Sequence, residues 1–168
     1  KSAGYASQDD ILHTEANGCL DGADPSKLSE RALSRGRTQL GTLGGGNHFI
    51  EVDIVAKVFD EEAAKVMGLY PGEIAAQVHT GSRGFGHQIC TDYVRQLQNA
   101  VRKYGISLPD KQLVCAPIQS PEGQDYLGAM RCGANFAFLN RQLLTNRLRE
   151  AFEKVLAGKV DDWHLKQV

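Results

Sequence analysis

Three stretches of the chain have the hydrophobic pattern of a β-strand. Over residues 47–58, Ile50, Val52 and Ile54 alternate with charged side chains, which predicts a strand with one buried face. Residues 73–79 and 112–118 are short and apolar, and they predict buried strands.

Helical periodicity covers most of the remaining chain. It predicts a compact helix over 60–67, a helix of about five turns after a glycine-rich loop and ending before residue 105, and one long or two kinked helices over 120–156. A capping aspartate followed by a first-turn proline predicts a short helix over 24–35. The turn-rich residues 1–24 predict no regular element.

These elements predict an α+β fold in which mixed sheets pack against helices, although the intervening helices also permit a parallel α/β arrangement. With 168 residues, 42% of them hydrophobic, the chain has enough apolar side chains to bury a core. Residues 1–168 are therefore expected to form one domain or part of one. Because there is no initiator methionine and residues 163–168 resemble a strand that stops in mid-pattern, both ends are expected to be cut from a longer chain.

Charge and cysteine usage narrow the function classes. The chain has 19 Lys and Arg against 20 Asp and Glu, so any attraction to phosphate must be local. The four cysteines form no C-x-x-C pair, which argues against a zinc finger or a disulfide scaffold and predicts reduced thiols in a cytoplasmic protein. No apolar stretch has the length of a membrane span or a signal peptide, so no membrane partner is expected.

Two glycine-rich loops each carry a histidine where a predicted strand begins or ends. In the first loop, residues 44–46 are three glycines that precede Asn47 and His48. In the second, His79 ends a strand and residues 82–84 lead into a helix. Glycines allow positive φ and close approach of a ligand, while a helix start and an arginine fork both favour an anion. The loops therefore predict a metal or phosphate site.

The spacing leaves two interpretations of the histidines open. In one, His48 and His79 bind a single transition-metal ion, and further ligands complete the site. In the other, each histidine is a hydrogen-bonded residue at a strand end. By strand parity Asn47 and Glu51 project to one side, whereas His48 shares the buried side of Ile50. A bulge or twist at the strand end would relieve that conflict.

Other candidate residues also have structural explanations. His87, in the first turn of a helix, is a candidate ligand contact, whereas His13 and His164 are assigned no role. Cys132 lies among small residues that favour tight helix packing. Residues 122–125 either face a site or belong to a capped helix start, and the cap is the simpler explanation. Neither a P-loop nor a G-x-G-x-x-G motif before a helix is present, which argues against those nucleotide-binding folds.

Three longer motifs resemble a known family. Residues 41–51 (GTLGGGNHFIE), 78–88 (VHTGSRGFGHQ) and 120–126 (SPEGQDY) are similar, in this order and at these separations, to signature stretches of the RtcB family of tRNA-splicing RNA ligases. The likeness runs from about residue 24 to residue 156. Because the family enzyme is much longer, the chain resembles an internal part of its catalytic domain.

The resemblance implies an RNA ligase. Such an enzyme joins RNA ending in a 3′-phosphate or 2′,3′-cyclic phosphate to RNA with a 5′-hydroxyl, with GTP and two manganese ions as cofactors, in tRNA splicing or RNA repair. A histidine is guanylylated, GMP passes to the RNA phosphate, and the 5′-hydroxyl displaces it. The implied partners are RNA ends such as tRNA halves and an accessory activating protein.

The motif match also implies roles for individual residues. His48 and His79 would bind manganese. Asn47 and Glu51 would bind the guanine nucleotide. Arg83 and Ser82 would bind a phosphate of RNA or nucleotide.

Several family features have no counterpart in the chain. These are the Asp-x-x-Cys metal ligands, the downstream His-Asn and the guanylylated histidine, so no catalytic residue is assigned. Cys19 has Ala16, not aspartate, three residues before it, and receives no ligand role. By itself the chain is expected to bind metal weakly and not to ligate.

Two other functions stay open from the residues alone. A metal-dependent phosphoesterase could use the same histidines without GTP, and a non-catalytic RNA- or nucleotide-binding module would need no metal. The near-neutral charge disfavours the module. All of these interpretations except the module depend on the imidazoles of His48 and His79 converging on one ion, beside an oxyanion pocket from residues 82–84.

Overall fold

The computed structural model describes residues 4–161 and 164–168. The described elements, in chain order, are α1 (Gln8–Leu12), two short 3-10 helices (Glu15–Gly18 and Pro25–Lys27), α2 (Glu30–Gln39), β1 (Phe49–Ile54), α3 (Glu61–Met67), β2 (Ile74–His79), α4 (Arg83–Lys103) and α5 (Pro121–Leu156). They form two compact units: residues 1–17, 41–80 and 141–168 belong to the first, and residues 18–40 and 81–140 to the second. The α+β class is confirmed, and the expectation of one domain stays a prediction.

The first unit contains a two-stranded antiparallel sheet. β1 pairs with β2 from Phe49 opposite His79 to Ile54 opposite Ile74. The connection between the strands contains α3, which Asp60 caps by accepting a hydrogen bond from the Ala63 amide. The helix predicted over 60–67 is thus confirmed, and so is the strand over 73–79.

A buried ion pair supports the first unit away from the sheet. Asp10 is only 2% exposed, and its two carboxylate oxygens accept hydrogen bonds from the Arg149 guanidinium at 2.7 and 2.8 Å. The Ser7 amide and the Gln142 side chain donate to the same carboxylate. These donors, Arg149 first, hold the pKa of Asp10 well below its usual range. The carboxylate is therefore charged and fully paired at neutral pH.

The second unit is helical. Its core forms along one face of α4, where Phe85, Ile89, Tyr93 and Leu97 recur at helical spacing and pack against α2 and the first part of α5. The Tyr93 hydroxyl is bonded to the carbonyl oxygens of Lys27 and Asp125, and burial raises its pKa to about 12. The prediction of a helix after the second loop is confirmed.

Several sequence-based predictions need correction. Residues 112–118 pair with no strand in the described chain; instead Val114 and Ala116 pack on the helical core. The predicted helix over 24–35 is two elements, because Ser29 caps a new helix that continues through Gly36 to Gln39. The strand over 47–58 is shorter, residues 49–54, and its antiparallel pairing excludes the parallel arrangement for the described sheet.

The remaining predictions concern α5, the two ends of the chain, the cysteines and a membrane span. α5 is a single continuous helix, and α1 and the first 3-10 helix lie where no element was predicted. Residues 164–168 form no strand, and Trp163 of the proposed last strand lies outside the described residues. All four cysteines are free thiols. None of the helices in the described ranges has both the length and the apolar character that a membrane crossing needs.

Candidate functional site

The glycine triplet forms a turn that only glycine adopts without strain. Gly44 has φ 110° and Gly46 has φ 74°, both in the region that side chains rarely occupy. A Cβ atom on Gly45 or Gly46 would meet no atom within 4 Å, so packing does not explain the absence of side chains there. The turn therefore exposes backbone, and it directly precedes Asn47 and His48.

His48 is oriented by this turn. Its ring nitrogen Nδ1 lies 2.8 Å from the carbonyl oxygen of Gly45. Because a carbonyl oxygen only accepts hydrogen bonds, Nδ1 must carry the proton, and Nε2 of the neutral ring then has a free lone pair. Metal-binding histidines typically have one ring N–H bonded to a carbonyl or carboxylate in this way. Strand parity does not apply to His48, since β1 begins only at Phe49.

His79 is oriented by the first pair of the ladder. It lies opposite Phe49, and the two rings stack with centroids 5.1 Å apart and planes 11° apart. Residues opposite each other in an antiparallel pair project to the same face, so Phe49 and His79 share a face with Glu51 and Gln77. The other face carries Ile50 and Val52 with their cross-strand partners Val78 and Ala76.

The structure brings the two predicted metal ligands together. The ring centroids of His48 and His79 are 6.3 Å apart, with the planes at 41°. Metal–nitrogen distances of about 2.1 Å place two imidazoles of one ion with centroids between roughly 4.5 and 6.5 Å apart. The observed separation is near the upper end of that range, so an ion shared by the two rings would have to lie almost directly between them.

The two histidines alone do not complete a metal site. In the parts of the chain that the structure describes, no group of three or more His, Cys, Asp or Glu side chains is placed to hold an ion. Neutral imidazole is a good ligand for zinc, manganese or iron, but most sites use at least three protein ligands or add water. The donor set therefore fits two positions of an incomplete coordination shell.

The two residues predicted to contact a nucleotide lie beside these histidines in sequence. Asn47 is exposed in the turn before His48, and Glu51 is exposed on the His79 face of β1. Asn47 precedes the strand, so strand parity, which predicted a shared side for the pair, applies only to Glu51. Their nucleotide roles stay predictions.

A pair of hydrogen bonds fixes the end of β2. The Thr80 hydroxyl donates to the carbonyl oxygen of Leu43 at 2.6 Å, and the Arg141 guanidinium donates to the Thr80 carbonyl at 3.2 Å. Thr80 is buried. These bonds tie the residue after His79 to the segment that leads into the glycine turn, so both histidine-bearing segments of the first unit are held by one set of contacts.

In the second unit, Arg83 has a strained backbone. Its φ is 53°, in the left-handed region, although it is the first residue of α4. For a residue with a side chain this costs about 1–2 kcal/mol, and such strain is most often found at functional sites. Ser82 precedes the helix without capping it through its hydroxyl. The phosphate-binding roles of Arg83 and Ser82 stay predictions.

The start of α4 is less open than its sequence predicts. The Gly84 amide donates to the side-chain oxygen of Gln39 at 2.7 Å, so this N–H is not free for an anion as expected. Arg35 lies against the same residue, because a Cβ on Gly84 would be 2.7 Å from its Nε. α2 therefore contributes two polar side chains, one turn apart, to the start of α4.

Arg35 is a candidate that sequence reasoning missed. It is half-buried, its guanidinium donates to the Gln88 side chain at 3.1 Å, and it lies 3.5 Å from Nδ1 of His87. Gln88 is itself buried and bonded to Asp92. No carboxylate within the described residues forms an ion pair with Arg35. A partly buried guanidinium with only neutral partners is suited to an external anion. The only sequence signal was the spacing of four between Arg35 and Gln39.

The third signature motif is a helix-capping device. The Ser120 hydroxyl accepts a hydrogen bond from the Gly123 amide, and the Gln124 side chain donates to the Ile118 carbonyl. A Cβ on Gly123 would collide with the Pro117 and Ile118 carbonyl oxygens, so this position requires close backbone approach. The preference for a capped helix start at residues 122–125 is confirmed.

Two other open residues also have structural contacts. Glu122 forms an ion pair with Lys103 at 2.8 Å and accepts a hydrogen bond from Tyr104. Lys103 is the main reason that the pKa of Glu122 falls to about 2. Cys132 packs against the helical core, as the small-residue pattern predicts, and burial raises the pKa of its thiol.

Comparisons with known proteins identify the family of the chain. The family model described as tRNA-splicing ligase RtcB matches residues 1–168. The chain is 53% identical over 165 residues to tRNA-splicing ligase RtcB of Methanocaldococcus jannaschii, covering 98% of this chain and 17% of that protein. It is 54% identical over 158 residues to tRNA-splicing ligase RtcB of Methanococcus maripaludis, covering 94% of this chain and 33% of that protein.

The likeness extends to a bacterial relative. RNA-splicing ligase RtcB of Mycobacterium bovis is 51% identical over 152 residues, which cover 90% of this chain and 35% of that protein. The chain thus spans about a third or less of the length of these curated relatives. On the match over its whole length, the chain belongs to the tRNA-splicing ligase RtcB family.

Proposed function

We propose that the chain contributes metal- and phosphate-binding residues to a GTP- and manganese-dependent RNA ligase. That enzyme would join RNA 3′-phosphate or 2′,3′-cyclic phosphate ends to 5′-hydroxyl ends in the cytoplasm, in tRNA splicing or RNA repair, through a guanylylated histidine outside these 168 residues. The observation that carries the proposal is the convergence of His48 and His79, with His48 held so that Nε2 is available.

In this proposal each histidine binds manganese through a neutral ring nitrogen. The Gly45 carbonyl holds the proton on Nδ1 of His48, and the Phe49 ring holds the plane of His79. Both supports place the rings before metal arrives, which reduces the ordering cost of binding. The bound ion would supply charge to polarise a phosphate and orient the attacking group. Other ligands of the ion would come from outside the described residues.

Arg83 and Arg35 would bind phosphate oxygens. A guanidinium presents parallel N–H donors that match a phosphate, and each charged hydrogen bond is stronger than a neutral one. The side-chain oxygen of Gln88 orients Arg35 by accepting a hydrogen bond from its guanidinium. Ser82 would add a hydroxyl donor beside Arg83, while Asn47 would contact the GMP phosphate and Glu51 the guanine.

The experiment is an RNA-joining assay on a chain of the relatives' full length. His48→Ala and His79→Ala are each expected to lose joining of 3′-phosphate RNA to 5′-hydroxyl RNA by at least about a hundredfold, because the metal loses a ligand. His13→Ala, which removes an exposed imidazole from the same unit, is the matched control and should join normally. Full joining by both site variants would refute the proposal.

The same assay separates the ligase from a phosphoesterase. Joining should require both GTP and manganese, and omission of GTP should leave the RNA ends unjoined. A phosphate ester cleaved at the same rate without GTP would favour the esterase. The chain's net charge of -1 gives no general attraction to RNA, which is why the proposal assigns phosphate binding to specific arginines.

A further inference from the structure

The connection between β1 and β2 contains an apolar groove. A cavity of about 610 Å³ lies between α3 and the chain segments that flank it, and its lining is mostly apolar: Ala56, Val58, Ala64, Leu69, Tyr70 and Pro71. All of these residues belong to the first unit. Ligand and peptide sites are typically concave and apolar with a few polar groups, and here Lys57, Lys65 and Glu61 supply the polar groups.

Large apolar side chains project around this groove into solvent. Phe59 and Val66 are each 88% exposed, and Tyr70 is 61% exposed. In the adjoining ladder, Ile54 and Ile74 form a directly opposed pair and both are exposed. Single exposed apolar residues are common, but a group of them beside an apolar groove is typical of an interaction surface. We call residues 49–79 the hairpin module.

The hairpin module is acidic. It carries two lysines against six carboxylates, the latter being Glu51, Asp53, Asp60, Glu61, Glu62 and Glu73, although the whole chain has a net charge of only -1. None of the six forms an ion pair within the described residues. Lys57 lies over the Phe59 ring at 4.9 Å and so belongs to the apolar surface as much as to the charged one. The module therefore keeps an excess of negative charge next to its exposed apolar residues.

We propose that the hairpin module is a docking surface for a basic, apolar segment of another protein. An apolar groove binds apolar anchors, and carboxylates that form no ion pair within the described chain attract Lys and Arg on the rim of the partner. RNA is disfavoured at the groove because the carboxylates of α3 would repel its phosphates, whereas the nucleotide and metal roles proposed for Glu51 and His79 belong to the opposite end of the ladder. A second copy of this chain would bring the same negative charge to the interface. This inference is independent of the proposed ligase function.

The test measures binding of a defined probe to a chain of the relatives' full length. The probe is a fluorescent amphipathic peptide of about 18 Lys and Leu residues in helical order, and a Glu and Leu peptide and a single-stranded RNA serve as comparisons. Fluorescence anisotropy should show that the basic peptide binds and that the acidic peptide does not, and hydrogen exchange should show that the RNA leaves residues 55–73 unprotected. Hydrogen exchange should slow in residues 55–73 when the basic peptide is present.

Two variants separate apolar from charged contacts. Glu61→Lys with Glu62→Lys should weaken binding by about tenfold, and Phe59→Ala with Val66→Ala should weaken it at any salt concentration. Glu150→Lys with Glu153→Lys makes the same change of charge on exposed positions of α5, so it should leave the affinity unchanged.

Three results would overturn the inference. The first is equal loss of affinity in the α5 variant, which would mean that only total charge matters. The second is protection of residues 55–73 by the RNA. The third is full protection of those residues without any probe, which would mean that the rest of the same polypeptide already covers them.

Discussion

Phe49 and His79 lie directly opposite each other at one end of the β1–β2 ladder, with their rings stacked 5.1 Å apart. The pairing register therefore determines the orientation of a candidate metal ligand. A shift by one residue would move His79 to the other face of the sheet and away from His48. The metal pair thus depends on strand register as well as on the presence of two histidines.

Replacement of Phe49 by leucine tests this relationship. The leucine retains apolar character but removes the flat surface beside the imidazole, so we expect manganese affinity to fall roughly two- to tenfold, the value of an aromatic pair. Isothermal titration of the full-length chain would measure the change. Ile50→Leu, on the opposite face of the same strand, is the control and should bind manganese normally. Equal affinity in Phe49→Leu would mean that stacking does not orient His79.

Arg83 allows strain to be separated from function. Glycine adopts φ 53° without the steric penalty of a side chain, so about 1 kcal/mol of relieved strain should offset the stability lost with the interactions of Arg83 when it is replaced by glycine. RNA joining should nevertheless fall sharply, because the guanidinium is lost. Denaturant unfolding and the joining assay together make the measurement. A destabilised variant would show that the side chain supports the fold.

Much of the architecture was predictable because local signals agreed with tertiary packing. Asp60 caps the start of α3 and Gly68 caps its end, as the capping pattern predicts. The backbone at Gly44 and Gly46 does have positive φ. The prediction of a strand over residues 112–118 was wrong for a physical reason. This short apolar run reflects packing of Val114 and Ala116 against the helical core, and an apolar pattern alone does not reveal whether a backbone has a strand partner.

The candidate site was only partly predictable. Both glycine-histidine loops were recognisable, but strand parity does not apply to His48, because β1 begins at Phe49, two residues later than predicted. Arg35 could not be found from sequence, since its importance depends on contact with Gly84 and Gln88 from another helix. The hydrogen bond from the Gly84 amide to the Gln39 side chain is likewise a tertiary contact that sequence does not reveal.

Gly123 provides a test of the capping device. Alanine there would collide with the Pro117 and Ile118 carbonyls, so Gly123→Ala should lower the free energy of unfolding by about 1–3 kcal/mol. Gly133→Ala lies on the same helix, where the nearest side-chain atom would be 3.5 Å away, and it should be neutral or stabilising. Thermal unfolding of both variants gives the comparison, and equal stability would contradict the proposed close approach.

Asp10 should give the fold an acid-sensitive component. Its pKa is lower in the folded chain than the ordinary 3.8, so the ion pair with Arg149 stabilises the fold above about pH 4 and is lost as the pH falls below that value. Asp10→Asn should cost about 3 kcal/mol at neutral pH and flatten the acid limb of the stability curve. Asp9→Asn, at an exposed neighbouring position, is the control. An unchanged acid limb in Asp10→Asn would contradict this account.

The central claim is that His48 and His79 share one ion through a nitrogen on each ring. Anomalous X-ray diffraction from manganese-loaded crystals of the full-length chain measures it directly. The account predicts a manganese peak about 2.1 Å from both Nε2 of His48 and a ring nitrogen of His79, with the Gly45 carbonyl still bonded to Nδ1 of His48. The absence of any peak bonded to both imidazoles, or a peak bonded to Nδ1 of His48, would contradict it.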